Sequence, residues 1–267
     1  MSLERTRAAN VSEFPVLPSE VFFVLAGIGL VIANVVRFAQ CPDFLDWPTL
    51  ALFVLGLLGA DFVSGVVHWA GDTWGTTKTP IMGWRFVRPF RFHHAYPLDM
   101  CKSNFFTTNG DNVLAASPML IIPLFFPVTD STGWLWAGVF VCSSGFFGMW
   151  TSQFHLWSHM KHPPRAVRFF QKYRIILSKE HHQRHHKAPY QTNYCITTGW
   201  CNPVLGRIGF WPALEWVVSK STGATVRPPE PEHTYTKPED MPKGPAVEVK
   251  GEAPAAPPGE GTPSVKA

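Results

Sequence analysis

Four stretches of this chain are apolar over most of their length, and polar positions collect between them. The first runs from Val21 to Ala39, broken only by Asn34 and Arg37 near its end. The second runs from Pro48 to Ala60 and carries on through Asp61 to Trp69; the third is Val113 to Val128 and the fourth Trp134 to Trp150. A helix needs roughly 20 apolar residues to cross a bilayer, within a range of about 17 to 25. The first two meet that length, the fourth sits at its lower limit, and the third falls short unless Asp111 and Asn112 lie at the interface. A buried pair of soluble helices is the alternative for the last two. Their connection, Thr129 to Gly133, is short, which predicts an antiparallel hairpin. The pattern thus predicts an all-α, multi-pass membrane helical bundle of about four transmembrane helices.

Basic residues orient those spans. The connections at 40–47 and 129–133 hold no Lys or Arg, whereas Arg5, Arg7, Lys78, Arg85, Arg88, Arg91 and Lys102 lie on the other side. Lys161, Arg165, Arg168, Lys172, Arg174, Lys179, Arg184 and Lys187 join them after the fourth span. The positive-inside tendency puts both termini and the 71–112 loop in the cytoplasm. Arg37 dissents, and is expected to snorkel to the far interface. The domain plan is a cytoplasmic segment at 1–18, a membrane-embedded domain at 19–226 and a tail at 227–267. That tail has ten prolines and Tyr235 as its one aromatic. It buries too little apolar surface to offset the entropy of ordering, and is expected to be disordered.

Composition sharpens the class. Only 16% of residues are charged, against 11 Trp and 21 Phe; a soluble domain carries about 25% charge. A net charge of +4, without an Arg/Lys stripe interleaved with aromatics, gives no argument for nucleic acid. The five cysteines are never spaced C-x-x-C, so neither a disulfide framework nor a zinc knuckle is indicated. The N-terminus lacks the pattern of a cleaved signal peptide.

Histidine carries the chemistry. Ten of the eleven lie between positions 68 and 186, as His68; His93 and His94; His155, His159 and His162; and His181, His182, His185 and His186. The topology above, derived without using histidine, brings all four groups to one membrane face as a cytoplasmic cap. His68/Asp72, His155/His159, His181/His185 and His182/His186 are each four apart, so on helices each pair shares a face. Neutral imidazole suits iron, zinc and copper. His162, before two prolines, and His233, in the tail, are weaker candidates. The run from Lys179 to Lys187 would by itself also suit a basic membrane-surface patch, but that leaves the other groups unexplained. Nine imidazoles plus Asp72 exceed the needs of one ion, which favours a two-metal site. No H-E-x-x-H of a zinc protease occurs. Soluble di-iron bundles use several Glu residues and Glu-x-x-His pairs, and inward-facing Glu is scarce here. A histidine-rich membrane di-iron oxygenase fits best.

Several blocks go further: Gly65-Val-Val-His68-Trp-Ala-Gly-Asp72-Thr-Trp-Gly75, Arg88-Pro-Phe-Arg-Phe-His93-His94, Thr108-Asn-Gly-Asp-Asn112, Gln153-Phe-His155-Leu-Trp-Ser-His159, His181-His-Gln-Arg-His-His186 and Cys195-Ile-Thr-Thr-Gly-Trp200. In this order they resemble the Kua family, which includes plasmanylethanolamine desaturase and its bacterial CarF relatives, with a plant plastid desaturase more distantly similar. The resemblance runs from about Pro48 to Gly223. It implies formation of the vinyl ether of a plasmalogen, by O2-dependent desaturation of the first two carbons of an ether-linked alkyl chain. It also implies metal ligation by His68, His93, His94, His155, His159, His181, His182, His185 and His186. Asp72, His68, His155 and His182 are expected to be essential for catalysis. The chain departs from human-like members at Phe92 and Tyr96, where those carry acidic residues beside the His pair.

Removing hydrogen from unactivated carbon is work for a metal, here two non-haem Fe ions with O2 as co-substrate. Asp72 either ligates directly or accepts an N–H from a ligand histidine; the second role is favoured. No flavin or nicotinamide fingerprint occurs, so an external electron donor is expected, a cytochrome b-type protein or ferredoxin drawn to the basic cytoplasmic face. The substrate, an ether phospholipid (plasmanylethanolamine), would enter from the surrounding membrane lipids. Asn109, Asp111, Asn112 and Thr197–Trp200 are candidates for its headgroup, with helix capping and turns an equal alternative. The host membrane is expected to be a bacterial inner membrane or the endoplasmic reticulum. A related acyl-lipid desaturase or hydroxylase is the nearest alternative activity, and a non-catalytic membrane metal sensor or signalling protein the alternative of another class.

Overall fold

The computed structural model describes residues 15–229, apart from the side chains of 84 and 85. The expectations for segment 1–14 and for the tail from 230, His233 and Tyr235 included, concern positions outside the described residues. Among these the chain is helical and has no strand. Its helices are α1 (Pro18–Phe38), α2 (Trp47–Thr73), α3 (Arg88–Ala95), α4 (Phe105–Ile121), α5 (Thr132–Gly148), α6 (Thr151–His159), α7 (Arg165–Lys172), α8 (Lys179–His185), α9 (Asn202–Arg207) and α10 (Phe210–Thr222).

α1 and α2 are both long and apolar enough to cross a membrane, whereas α4 and α5 have 17 residues each. On α1, Val24, Gly27, Asn34 and Phe38 recur at helical spacing and face inward. Phe22, Leu25, Ile32 and Val36 stay exposed, as do Leu50 and Val54 on α2. That outward apolar surface is what a lipid-facing bundle presents and a water-facing one hides.

α1 packs along α4, and α2 along α5. The second pair is close because α2 offers glycine where α5 offers serine: a Cβ on Gly56 would run into Ser143. Small residues let helix backbones approach in lipid, where dispersion replaces the hydrophobic drive. Further along α2, a Cβ on Gly65 would strike the Cys195 sulfur, so the 190–201 loop crosses the helix there.

Two expectations need amending. α4 begins at Phe105, about two turns before the apolar run, because Asn104 caps it by accepting from the Thr107 N–H. Polar residues 107–112 therefore belong to a helix rather than to a loop. Arg37 does not simply snorkel. Its guanidinium donates to the carbonyls of Pro123 and Phe126, where Pro123 ends α4 in a short 3-10 turn and leaves acceptors open. Buried Asn34 similarly donates to the Leu120 carbonyl.

At the opposite end, the starts of α1 and α4 meet through Glu20 and Thr107, and α4 meets α6 through Asn109 and Gln153. α2 and α5 both finish there; α3, α6 and α8 gather around them. α9 and α10 pack beside α2 through a cluster of Trp69, Tyr194, Cys195, Leu205 and Trp211.

Candidate metal centre

Four short pieces of helix bring the histidines together. His68 and Asp72 occupy the last two turns of α2. α3 carries Pro89 in its first turn and presents two consecutive imidazoles, His93 and His94. Arg91 anchors this helix by donating to the Gly75 carbonyl at 2.8 Å. The positions that depart from the human-like pattern, Phe92 and Tyr96, pair ring to ring at 4.9 Å on its outer side. α6, one short turn beyond α5, carries His155 and His159, and α8, capped by Ser178, carries His182 and His185 with His186 at its end.

The rings form two groups that share a member: His68, His93, His94 and His185; and His93, His155, His159, His182 and His186. Within each group the ring nitrogens offered as ligands lie within 4.8 Å of one another. Eight of the nine predicted ligands are thereby brought together. The ninth, His181, points elsewhere and accepts from the Asn202 amide at 2.9 Å. His162 is exposed and belongs to neither group.

In the first group the tautomers are set from behind. His68 Nδ1 lies 3.1 Å from the Tyr194 carbonyl and His185 Nδ1 lies 2.8 Å from that of Thr192. A carbonyl only accepts, so both Nδ1 atoms carry the proton and both Nε2 atoms present a lone pair. Those two lone pairs point at Asp72 Oδ2, each 3.4 Å away, and His94 Nε2 is 3.6 Å from the same oxygen. Neither Asp72 oxygen has a hydrogen-bond donor, and His68 Nε2 has no partner. Asp72 thus sits on the ligating side of the rings, while backbone carbonyls fill the role of holding them from behind.

The second group is made of imidazoles alone. The Nε2 atoms of His155, His159 and His182 form a triangle with sides of 2.8, 2.9 and 3.1 Å, and His186 Nε2 is 3.0 Å from that of His182. A neutral imidazole nitrogen either donates a proton or offers a lone pair, never both. No assignment of protons satisfies all three sides of such a triangle. A cation among the lone pairs does, so in both groups the residues fit a bound metal.

Burial also puts these rings in the protonation state that a metal requires. Loss of hydration disfavours the imidazolium, and surrounding imidazoles add to the effect. His94 is pushed down to about 2, His159 to about 3, and His185 and His186 to about 4. His93, His155 and His182 lie well below the ordinary histidine value, for the same reason.

The predicted headgroup residues are differently employed. Asn109 is buried and donates to Gln153, and Asn112 donates to the carbonyls of Gly148 and Met149. Asp111 is exposed. Thr197, Thr198 and Gly199 donate their N–H groups to one oxygen of Asp61, and Cys201 donates to the other.

Asp61, which is fully buried, had no assigned role in the sequence reading, although a carboxylate inside an apolar span is a signal of function. It anchors the loop whose Tyr194 carbonyl holds His68. Arg227, placed at the start of the tail, is docked on the folded body. Its N–H donates to the Thr73 carbonyl, and its guanidinium reaches Glu215 and the Tyr194 hydroxyl. Outside the histidine groups, Arg168, Lys172, Arg174, Lys179 and Arg184 line an open hollow of about 660 Å³, with His181 and Trp200 in its wall.

Comparison with known proteins agrees with this chemistry. The lipid desaturase domain family matches residues 57–228. The plasmanylethanolamine desaturase of Myxococcus xanthus is 41% identical over 208 residues, covering 78% of this chain and 74% of that protein. Plasmanylethanolamine desaturase 1 of Mus musculus is 39% identical over 76% of this chain and 78% of its own length. The chloroplastic fatty acid desaturase 4 of Arabidopsis thaliana is 35% identical over 68% of this chain and 54% of its own length. No solved structure matches. This chain belongs to the lipid desaturase domain family.

Proposed function

We propose that this protein is a plasmanylethanolamine desaturase, converting the alkyl ether of a phospholipid to a vinyl ether. The observation that carries the reading is the pair of convergent, proton-poor histidine groups in a chain about 40% identical to two enzymes of that name. The balance is one CH2–CH2 unit plus O2, two electrons and two protons, giving CH=CH and two waters. Two bound iron ions would supply the oxidising power, as in other metal-dependent oxygen chemistry. His68, His94 and His185 with Asp72 would hold one ion; His155, His159, His182 and His186 would hold the other, and His93 stands between them.

The protein's own contribution is orientation and exclusion of water. The carbonyls of Tyr194 and Thr192 keep His68 and His185 aimed, and Asp61 keeps the 197–201 loop against α2. Asp72 supplies negative charge beside otherwise neutral ligands. The reading has four membrane spans, α4 and α5 completing the set, with both termini and the histidine cap in the cytoplasm. That position suits the chemistry, because the first two alkyl carbons lie next to the glycerol, at the boundary between headgroup and hydrocarbon. The two electrons come from a separate small carrier, a cytochrome b-type protein or ferredoxin. The basic hollow beside His181 is the surface whose charge fits an acidic donor.

Expression in plasmalogen-deficient cells tests the activity. Acid-labile vinyl ethers should form with the native chain and be lost with His182→Ala. Membrane-inserted native protein that makes none, with a reductant chain present, would overturn the reading.

A further inference from the structure

A second cavity reaches the metal centre from the side of the bundle. It is a narrow groove of about 110 Å³ between α2, α4, α5 and α6. At one end it is closed by His155, with Val67 and Phe90 beside it; at the other it ends near Ala60, Met119 and Ser144. Along α2 the interval from Ala60 to Val67 corresponds to about 10 Å. The walls are mostly small or apolar, and Ala115 and Val63 are exposed on the outer surface that α2 and α4 turn toward lipid.

Small residues keep the groove open. A Cβ built on Gly148 meets only the Ala116 Cβ, at 3.7 Å, an ordinary contact. Glycine at 148 therefore leaves space that no other side chain fills. The larger apolar cavity, lined by Val31, Phe38, Phe53 and Phe146, contains no histidine and lies at the other end of the bundle. Of these two cavities, it is the groove that joins an apolar, lipid-side opening to a ring of the second histidine group.

We propose that this groove binds the alkyl chain of the ether phospholipid, and that Ala115, Met119 and Gly148 set which chains it admits. The assignment rests on the desaturase reading above. A chain lying from Met119 toward His155 runs out of the membrane interior to the metal end, with its polar head at the interface. That is the direction in which oxidation at the first two carbons requires it to lie.

The test is photolysis of the full-length protein in nanodiscs, with an alkyl ether phospholipid carrying a diazirine midway along the chain. Adducts should map to Val63, Ala116 and Met119, and Gly148→Leu should lower their yield about tenfold. Ala115→Leu, at an exposed position that does not burden folding, should lower it in the same direction. Adducts confined to outer residues such as Phe22 and Leu25, and unchanged by both substitutions, would overturn the proposal. Vinyl ether production by a native chain that gives no groove adducts would overturn the groove alone. Groove adducts without any vinyl ether would instead overturn the activity and leave the lipid site standing.

Discussion

In the first histidine group backbone carbonyls aim two of the four rings, His68 and His185, and a carboxylate lies among the lone pairs they present. One ring-to-ring contact joins His94 Nε2 to His185 Nε2 at 2.8 Å. In the second group the four rings unique to it meet one another, with no carboxylate, and His182 Nδ1 has no partner. A metal in the first would be bound by a net negative, pre-set frame; in the second it would replace proton-poor contacts between neutral rings. The difference teaches that two adjacent sites made of one residue type need not be equivalent. Backbone acceptors and one aspartate distinguish them.

Asp72→Asn should break the comparison most strongly. It removes the charge while keeping the shape, and affinity at the first site should fall by about ten- to a hundredfold, measured by competition with a chelator. Equal weakening of both sites would place Asp72 outside the first. The pH response is of intermediate size and involves both groups. The rings beyond the spans have folded-state pKa values below the ordinary 6.5, with His94, His159, His185 and His186 at about 2 to 4. The unfolded chain therefore binds protons that the folded chain does not as pH drops below about 6.5. Stability is full above that value and declines as pH falls toward about 4. Thermal melts of chelated protein between pH 7.5 and 4.5 (about the range in which histidine titrates) should show a falling midpoint; a flat or rising one would contradict the burial.

His181→Ala is the smallest expected change. It removes a hydrogen bond with Asn202, costing about 1 kcal/mol, which a thermal melt detects while metal content stays unchanged. Loss of metal would return His181 to the ligand set. This residue also marks where spacing stops being informative. His181/His185 and His182/His186 have the same four-residue interval, and both pairs suit a ligand-bearing helix face. The choice depends on which face of α8 turns toward α6, and that is decided by contacts distant in sequence.

The same limit hid other supports. Asp61 and Thr197 are 136 positions apart, and His68 and Tyr194 are 126 apart; a carbonyl that orients a ligand leaves no mark on residue identity. Arg227 stands among prolines, and only its contacts with Glu215, Tyr194 and Thr73 join it to the fold. Apolar runs and histidine intervals were readable because they are local and periodic. The early start of α4 was not, since Asn104 sets it through a single cap.

The most direct test of two unequal sites is iron counting with Mössbauer spectroscopy on purified protein, native and with His68→Ala or His182→Ala. About two ions per native chain are expected in distinguishable environments, with His68→Ala depleting one signal and His182→Ala depleting the other. A single ion per chain, or two signals lost in equal measure from either variant, would contradict two unequal sites.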